Sequence, residues 1–238
     1  MKLDGIKEKL GREAVEVFVK SGMKLGLGTG STAIFAVRHL GLLLSQGKLR
    51  DVKAVATSMQ TSIECEKLGI PLYTLNSIAI GGRLDLTIDG ADEVDEENRL
   101  IKGGGGALLP EKIAAYSSLA YVIVVDESKI VKSLGSGFPV PVEVIPIAHL
   151  PVMLALQKLG AEVVLREAVR KAGPVITDQG NLLLDIRFSE AVDPVAMEAK
   201  INNIPGVMEN GFFTGPADNP LRPQILIGYS DGKVERRK

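Results

Sequence analysis

Four consecutive glycines, Gly103 to Gly106, constrain this chain more than any other stretch. Each costs roughly 0.5–1 kcal/mol relative to alanine inside a helix or strand, so the run belongs where side chains would obstruct something. Lys102 opens the run, and Ala107, Leu108 and Leu109 lead from it to Pro110. Proline is favoured at the first position of a helix, which predicts a helix from residue 110 with Glu111 in its first turn. Exposed amide N–H groups and the positive end of the helix dipole make such a turn receptive to anions, including oxyanions formed during a reaction. A flexible loop and a glutamate that merely complements the dipole would account for Glu111 alone. They do not account for Lys102 or for the nearby pair Asp89 and Asp92.

A second punctuation stands near the start. The apolar run 23–27 meets Gly28, Thr29, Gly30, Ser31 and Thr32, and an apolar pattern over 33–44 follows, which predicts strand, tight turn and helix. The turn satisfies the relaxed dinucleotide fingerprint GxGxxA, a weak match by itself. A nicotinamide site would also want an acidic residue about 20 positions on. Here the next predicted strand, 52–56, ends in Thr57 and Ser58. What remains is three hydroxyls, Thr29, Ser31 and Thr32, at a helix N-terminus, which suits a single phosphate. Simple N-capping is the bland alternative.

Around these two points the chain alternates. Helical spacing marks 4–20, hydroxyls surround the start of a helix reaching 68, and strands are expected at 71–75, 84–88 and 121–125, with a short extended piece at 99–102. Asp89 and Asp92 fall at the carboxyl end of 84–88, where open α/β sheets place their chemistry; Asp126 and Lys129 follow 121–125. The expected fold is α/β, a mainly parallel, Rossmann-like sheet with helices on both faces. After Gly135 and Gly137 the order becomes strand 140–145, helix 148–159, strand 162–165, a hairpin of 175–177 with 182–188, a helix capped by Asp193 and Pro194, and 207–213. That is close to the split βαβ, ferredoxin-like pattern of a small α+β domain. The expected division is a catalytic α/β domain of 1–134 and 207–238 and a small α+β domain of 135–206, a lid or oligomer interface inserted before the C-terminal strand 225–229. Residues 215–223 read as a loop and 233–238 as a frayed basic tail.

Composition then excludes partners. Among 238 residues, 28 Lys and Arg balance 29 Asp and Glu, aromatics are 4% and tryptophan is absent, so neither nucleic acid nor an anionic membrane is expected to bind. Lys7, Glu8, Lys9, Arg12 and Glu13 interrupt any signal-peptide core, and no apolar run reaches the ~18 residues of a membrane span. A cytoplasmic location is the expectation. The single cysteine, Cys65, allows no disulfide or CxxC site, and His39 and His149 have no metal-ligand or triad neighbours, so no metal is expected. The reactive set that is left consists of carboxylates, a lysine, glycines and hydroxyls. It can take a proton from a carbon beside a carbonyl and steady the resulting enediolate, and a phosphate grip beside it suggests a phosphorylated sugar.

The GTGST turn, DGADE, KGGG followed by EK, VDESK, PVEVIP, TDQGN and IPGV occur in this order. Together they resemble type A ribose-5-phosphate isomerase across nearly the whole chain. The resemblance implies that Glu111 is the base moving a proton between C2 and C1 of the opened sugar. It implies that Lys102 and the amides of Gly103, Gly104 and Gly105 neutralise charge on oxygen, and that Asp89 and Asp92 hold hydroxyls and relay a proton. Substrate contact extends by the same resemblance to Thr29, Gly30, Ser31 and Thr32, to Gly90 and Ala91 within DGADE, and to Lys129, with Lys7 a weaker match. It further implies no metal or organic cofactor and a homodimer or homotetramer. Two alternatives use a related fold. A sugar-phosphate-sensing effector domain would want a DNA-binding module ahead of the first strand, where only about twenty residues stand. A CoA-transferase-like enzyme with Glu111 as nucleophile would leave the aspartate pair unexplained.

Overall fold

The computed structural model describes residues 3–215 and 222–238. In chain order the helices are α1 (Leu3–Phe18), α2 (Ala33–Ser45), α3 (Met59–Lys67), α4 (Leu108–Tyr116), α5 (His149–Lys158) and α6 (Pro194–Asn202). The strands are β1 (Lys24–Leu27), β2 (Lys53–Ala56), β3 (Leu86–Asp89), β4 (Glu93–Val94), β5 (Leu100–Ile101), β6 (Tyr121–Asp126) and β7 (Val140–Val144). They continue as β8 (Ala161–Leu165), β9 (Leu182–Phe188), β10 (Val207–Asn210), β11 (Phe212–Phe213), β12 (Gln224–Gly228) and β13 (Val234–Arg237). The chain forms two compact units, one of Met1–Ala91, Pro110–Lys129 and Gly215–Lys238, the other of Asp92–Leu109 and Ile130–Thr214. The second contains the expected small α+β segment 135–206 and also residues 92–109, 130–134 and 207–214, which were expected in the α/β domain.

The first unit carries a six-stranded sheet in the order β13-β12-β6-β3-β1-β2, parallel except for β13. Strand alternation sorts its side chains. Leu25 and Leu27, Leu86 and Ile88, and Val122 and Val124 face a core completed by Ile6, Leu10 and Ala14 of α1, Val37 and Leu40 of α2 and Cys65 of α3. On the opposite face Val55, Ile80 and Leu84 pack with Ala114 of α4. Leu10 is fully buried, so truncating it to alanine removes about 2–5 kcal/mol. From β1 the chain crosses to β2 on one side and then returns to β3 on the other. The carboxyl ends of β1 and β3 are therefore the switch point at which open α/β sheets bind ligands.

In the second unit β7, α5, β8, β9, α6 and β10 build an antiparallel sheet of order β10-β7-β9-β8, the ferredoxin-like arrangement. Val140, Val142, Val144, Leu184 and Ile186 pack under Val152 and Leu156 of α5 and Ile201 of α6. A three-stranded sheet, β11-β5-β4, joins the DGADE segment to the stretch that opens the glycine run.

Several boundaries differ from expectation. Residues 71–75 form no strand beyond a single bridge of Leu72 to Ala54. The expected hairpin strand 175–177 is reduced to a bridge between Ile176 and Leu182, because β9 takes its ladder partners from β7 and β8. The tail expected to fray is instead β13, antiparallel to β12 across a turn closed by Gly232 at φ 92°. Its charged V-E-R-R alternation suits an exposed edge strand and conceals it from a hydrophobicity reading. Most of the loop expected at 215–223 lies outside the described residues.

Candidate active site

In the first unit the turn after β1 and the end of β3 approach each other closely. Asp89 is fully buried, and its Oδ1 accepts from the Thr29 amide at 3.1 Å and the Gly90 amide at 2.7 Å. A Cβ on Gly28 would lie 2.0 Å from that same oxygen and 2.6 Å from the Asp89 Cα, so glycine is obligatory there. The expected hydroxyls divide by task. Thr29 Oγ1 donates to Ser58 Oγ at 2.7 Å and lies 2.9 Å from Thr57 Oγ1, so it is tied to the start of α3. Ser58 also caps α3, accepting from the Thr61 amide. Ser31 is exposed and receives Lys7 Nζ at 2.8 Å, which brings the lysine of α1 to the loop. Thr32 precedes α2 yet makes no side-chain cap bond, so capping does not occupy its hydroxyl. Gly30 sits at φ 105°, which aims the turn toward the N-terminus of α2.

Helix α4 begins at Leu108, two residues before the proline expected to open it, and Glu111 still lies in its first turn. Glu111 is 4% exposed. The register pairs Thr87 with Tyr121, and Thr87 contacts Ser118 Oγ at 2.7 Å, just past α4. Asp89 and Tyr121 share that sheet face. The buried Tyr121 hydroxyl has no hydrogen-bond partner among the described residues. Burial first, and then the charges of Asp89 and Glu111, push its pKa well above the ordinary phenol value. Sequence reading treated Tyr121 only as the start of a buried strand; the register that turns it toward two carboxylates has no local signal. Lys129 is half-buried in the 3-10 turn Glu127–Lys129 that follows β6.

The remaining expected residues lie in the second unit. Asp92 donates its amide to the Ile101 carbonyl at 2.8 Å, and its Oδ2 accepts from the Gly104 amide at 2.7 Å. Lys102 is 2% exposed; its ammonium stands 5.6 Å from the Phe213 ring centroid, and its amide donates to Gly211. Gly103 adopts φ 105°, and Gly106 donates back to the Gly103 carbonyl at 3.0 Å, closing a turn. A Cβ on Gly104 would fall 2.6 Å from Asp92 Oδ1. Thus Asp92 with Lys102 and Gly103–Gly105 form one described set, and Thr29–Thr32 with Asp89–Ala91, Glu111 and Lys129 the other.

Neither histidine joins a site: His39 Nε2 lies 3.2 Å from Glu16, and His149 Nδ1 lies 2.9 Å from the Pro146 carbonyl. Among the described residues no group of three or more His, Cys, Asp or Glu side chains is placed to hold a metal ion.

The family model of ribose 5-phosphate isomerase A (phosphoriboisomerase A) matches residues 53–232. A ribose-5-phosphate isomerase A of Treponema denticola is 53% identical over 237 residues, 97% of each chain. The chain belongs to the ribose-5-phosphate isomerase A family. Solved members of the family share the fold: the Methanocaldococcus jannaschii structure is 43% identical, with 99% of both chains covered and a TM-score of 0.89. A D-ribose-5-phosphate isomerase solved in complex with phospho-erythronic acid is 38% identical over the whole of both chains, with a TM-score of 0.92. The mainly parallel sheet flanked by helices and the added antiparallel sheets are therefore the fold of this isomerase family.

Proposed function

We infer that the chain interconverts D-ribose 5-phosphate and D-ribulose 5-phosphate, an aldose–ketose isomerisation in the non-oxidative branch of the pentose phosphate pathway. The observation that carries this reading is the near-full-length match to ribose-5-phosphate isomerase A in a chain whose β1–β3 switch point holds a buried carboxylate beside a hydroxyl-rich glycine turn.

The chemistry follows from the donors. In the open-chain sugar, Glu111 takes the C2 proton as general base; the electron pair moves to the carbonyl, giving a cis-enediolate, and the same carboxyl returns the proton to C1. Lys102 and the amides of Gly103, Gly104 and Gly105 stabilise the charge that develops on oxygen, the largest kind of contribution available to such a reaction. Asp89 and Asp92 hold sugar hydroxyls and carry a proton between O1 and O2, with Gly90 and Ala91 keeping the backbone close. Thr29 shapes the phosphate loop through its amide and its link to Ser58, while Gly30, Ser31, Thr32 and Lys7 supply the grip, and Lys129 contributes a further cation. No metal or organic cofactor takes part, and the enzyme works in the cytoplasm as a homodimer or homotetramer.

The test is direct conversion of ribose 5-phosphate to ketose by the purified protein with and without chelator. Equal rates are expected; no conversion would end the isomerase reading, and loss restored by a divalent ion would show that the carboxylates hold a metal.

A further inference from the structure

The glycine turn is gripped from outside by an ion pair that takes no direct part in the proton transfers. Arg166, immediately after β8, donates Nη1 to the carbonyls of Gly103 at 3.0 Å and Gly104 at 3.1 Å. Its other edge is locked to Asp185 of β9, with Nε on Oδ2 at 2.8 Å and Nη2 on Oδ1 at 2.5 Å. The backbone holds Arg166 as well, its amide donating to Leu183 and its carbonyl accepting from Val175. All of these residues lie in the second unit.

Peptide planarity gives this grip a consequence. In a trans peptide the C=O and the next N–H point in opposite directions. Fixing the Gly103 carbonyl on Arg166 turns the Gly104 N–H the other way, and that amide indeed donates to Asp92 Oδ2 at 2.7 Å. Fixing the Gly104 carbonyl turns the Gly105 N–H away from Arg166 by the same rule. Four glycines in a row are the least able of any sequence to hold such an orientation unaided. A planar guanidinium, always charged and braced by a two-point carboxylate contact, can bind two adjacent carbonyls with one nitrogen. We propose that Arg166, braced by Asp185, is a positioning residue for isomerisation: it aims the Gly105 amide at the enediolate oxygen and fixes Asp92 through the Gly104 amide.

This rests on the isomerase reading and deepens it. In Arg166→Met, which keeps length and apolar contact but removes every donor, kcat is expected to fall roughly 10²-fold, the scale of a misplaced reacting group, with KM within about threefold of wild type. Phospho-erythronic acid, whose carboxylate carries charge at the reacting end, should lose inhibition in parallel with kcat, while inhibition by inorganic phosphate stays unchanged. Added guanidinium should restore kcat in Arg166→Ala, a response that a purely structural arginine would not give. Asp185→Asn leaves Arg166 and the turn in place and should show a smaller loss of the same type; it carries the test if the Arg166 variants do not fold. Folded variants with wild-type kcat overturn the proposal. So does a loss spread equally over kcat, KM and thermal stability without guanidinium rescue. A wild-type protein that does not isomerise overturns the isomerase reading instead.

Discussion

Three buried carboxylates show how differently one functional group can be used. Asp89 sits at a sheet switch point under two backbone amides. Glu111 occupies the first turn of a helix, and Glu143 lies inside the antiparallel sheet with Oε1 accepting from Thr177 at 2.8 Å and Asn181 at 2.9 Å. Burial, outweighing those two hydrogen bonds and assisted by Asp178 and Glu209, raises the Glu143 carboxyl above its ordinary 4.5. The folded state therefore binds this proton more tightly than the unfolded chain. Its stabilising effect is complete below 4.5 and is lost as pH rises through the raised value. Compared with Glu143→Gln, wild type should have its most favourable melting temperature in acid and lose that advantage toward neutral pH; a difference that stays constant with pH would contradict the assignment. The carboxylates proposed for the site, Asp89, Asp92 and Glu111, stand out in the sequence because glycines and a proline beside them announce special backbone. Glu143 is hidden among valines and prolines, and Arg166 among the scattered charges of 166–171, because their partners are far away along the chain.

At the scale of elements, glycine turns carry most of the information. The β1–α2 turn was readable because a strand, two glycines and three hydroxyls occur within ten residues, and the structure adds what spacing does not show: the Thr29 hydroxyl belongs to Ser58, and Lys7 reaches Ser31. Thr32 is the informative position to change. Valine preserves its shape, and no cap bond to α2 is lost. Thr32→Val should raise KM for the phosphorylated sugar by the equivalent of about 1–3 kcal/mol with little change in kcat, as steady-state kinetics would reveal. An unchanged KM would move the phosphate elsewhere. Strand β13 is polar because it forms an edge, residues 71–75 meet the outer edge of β2 through a single bridge, and residues 175–177 are apolar enough for a strand but find the ladders of β9 taken by β7 and β8.

For the whole molecule, alternation of strands and helices was enough to foresee a mainly parallel sheet and a ferredoxin-like set of elements, since both follow from local periodicity. The path by which 92–109 joins 130–214 was not, because β4, β5 and β11 are two residues each and β11 pairs with β5 across more than a hundred positions. Assembly is a question at this scale as well. Ile147, Leu150 and Leu154 stand exposed on and just before α5, an apolar row that supports self-association. Light scattering should return two or four times the 25.4 kDa chain mass; a monomer at working concentration would reject the oligomer. The central claim is that Glu111 moves the C2 proton. Wild type should wash deuterium from C2 of the substrate into water during turnover, and Glu111→Gln, with substrate still bound, should lose exchange and isomerisation together by at least the ~10²-fold expected of a general base. Exchange by the Gln variant at a rate near wild type would assign the base to another residue, with Asp89 next in line.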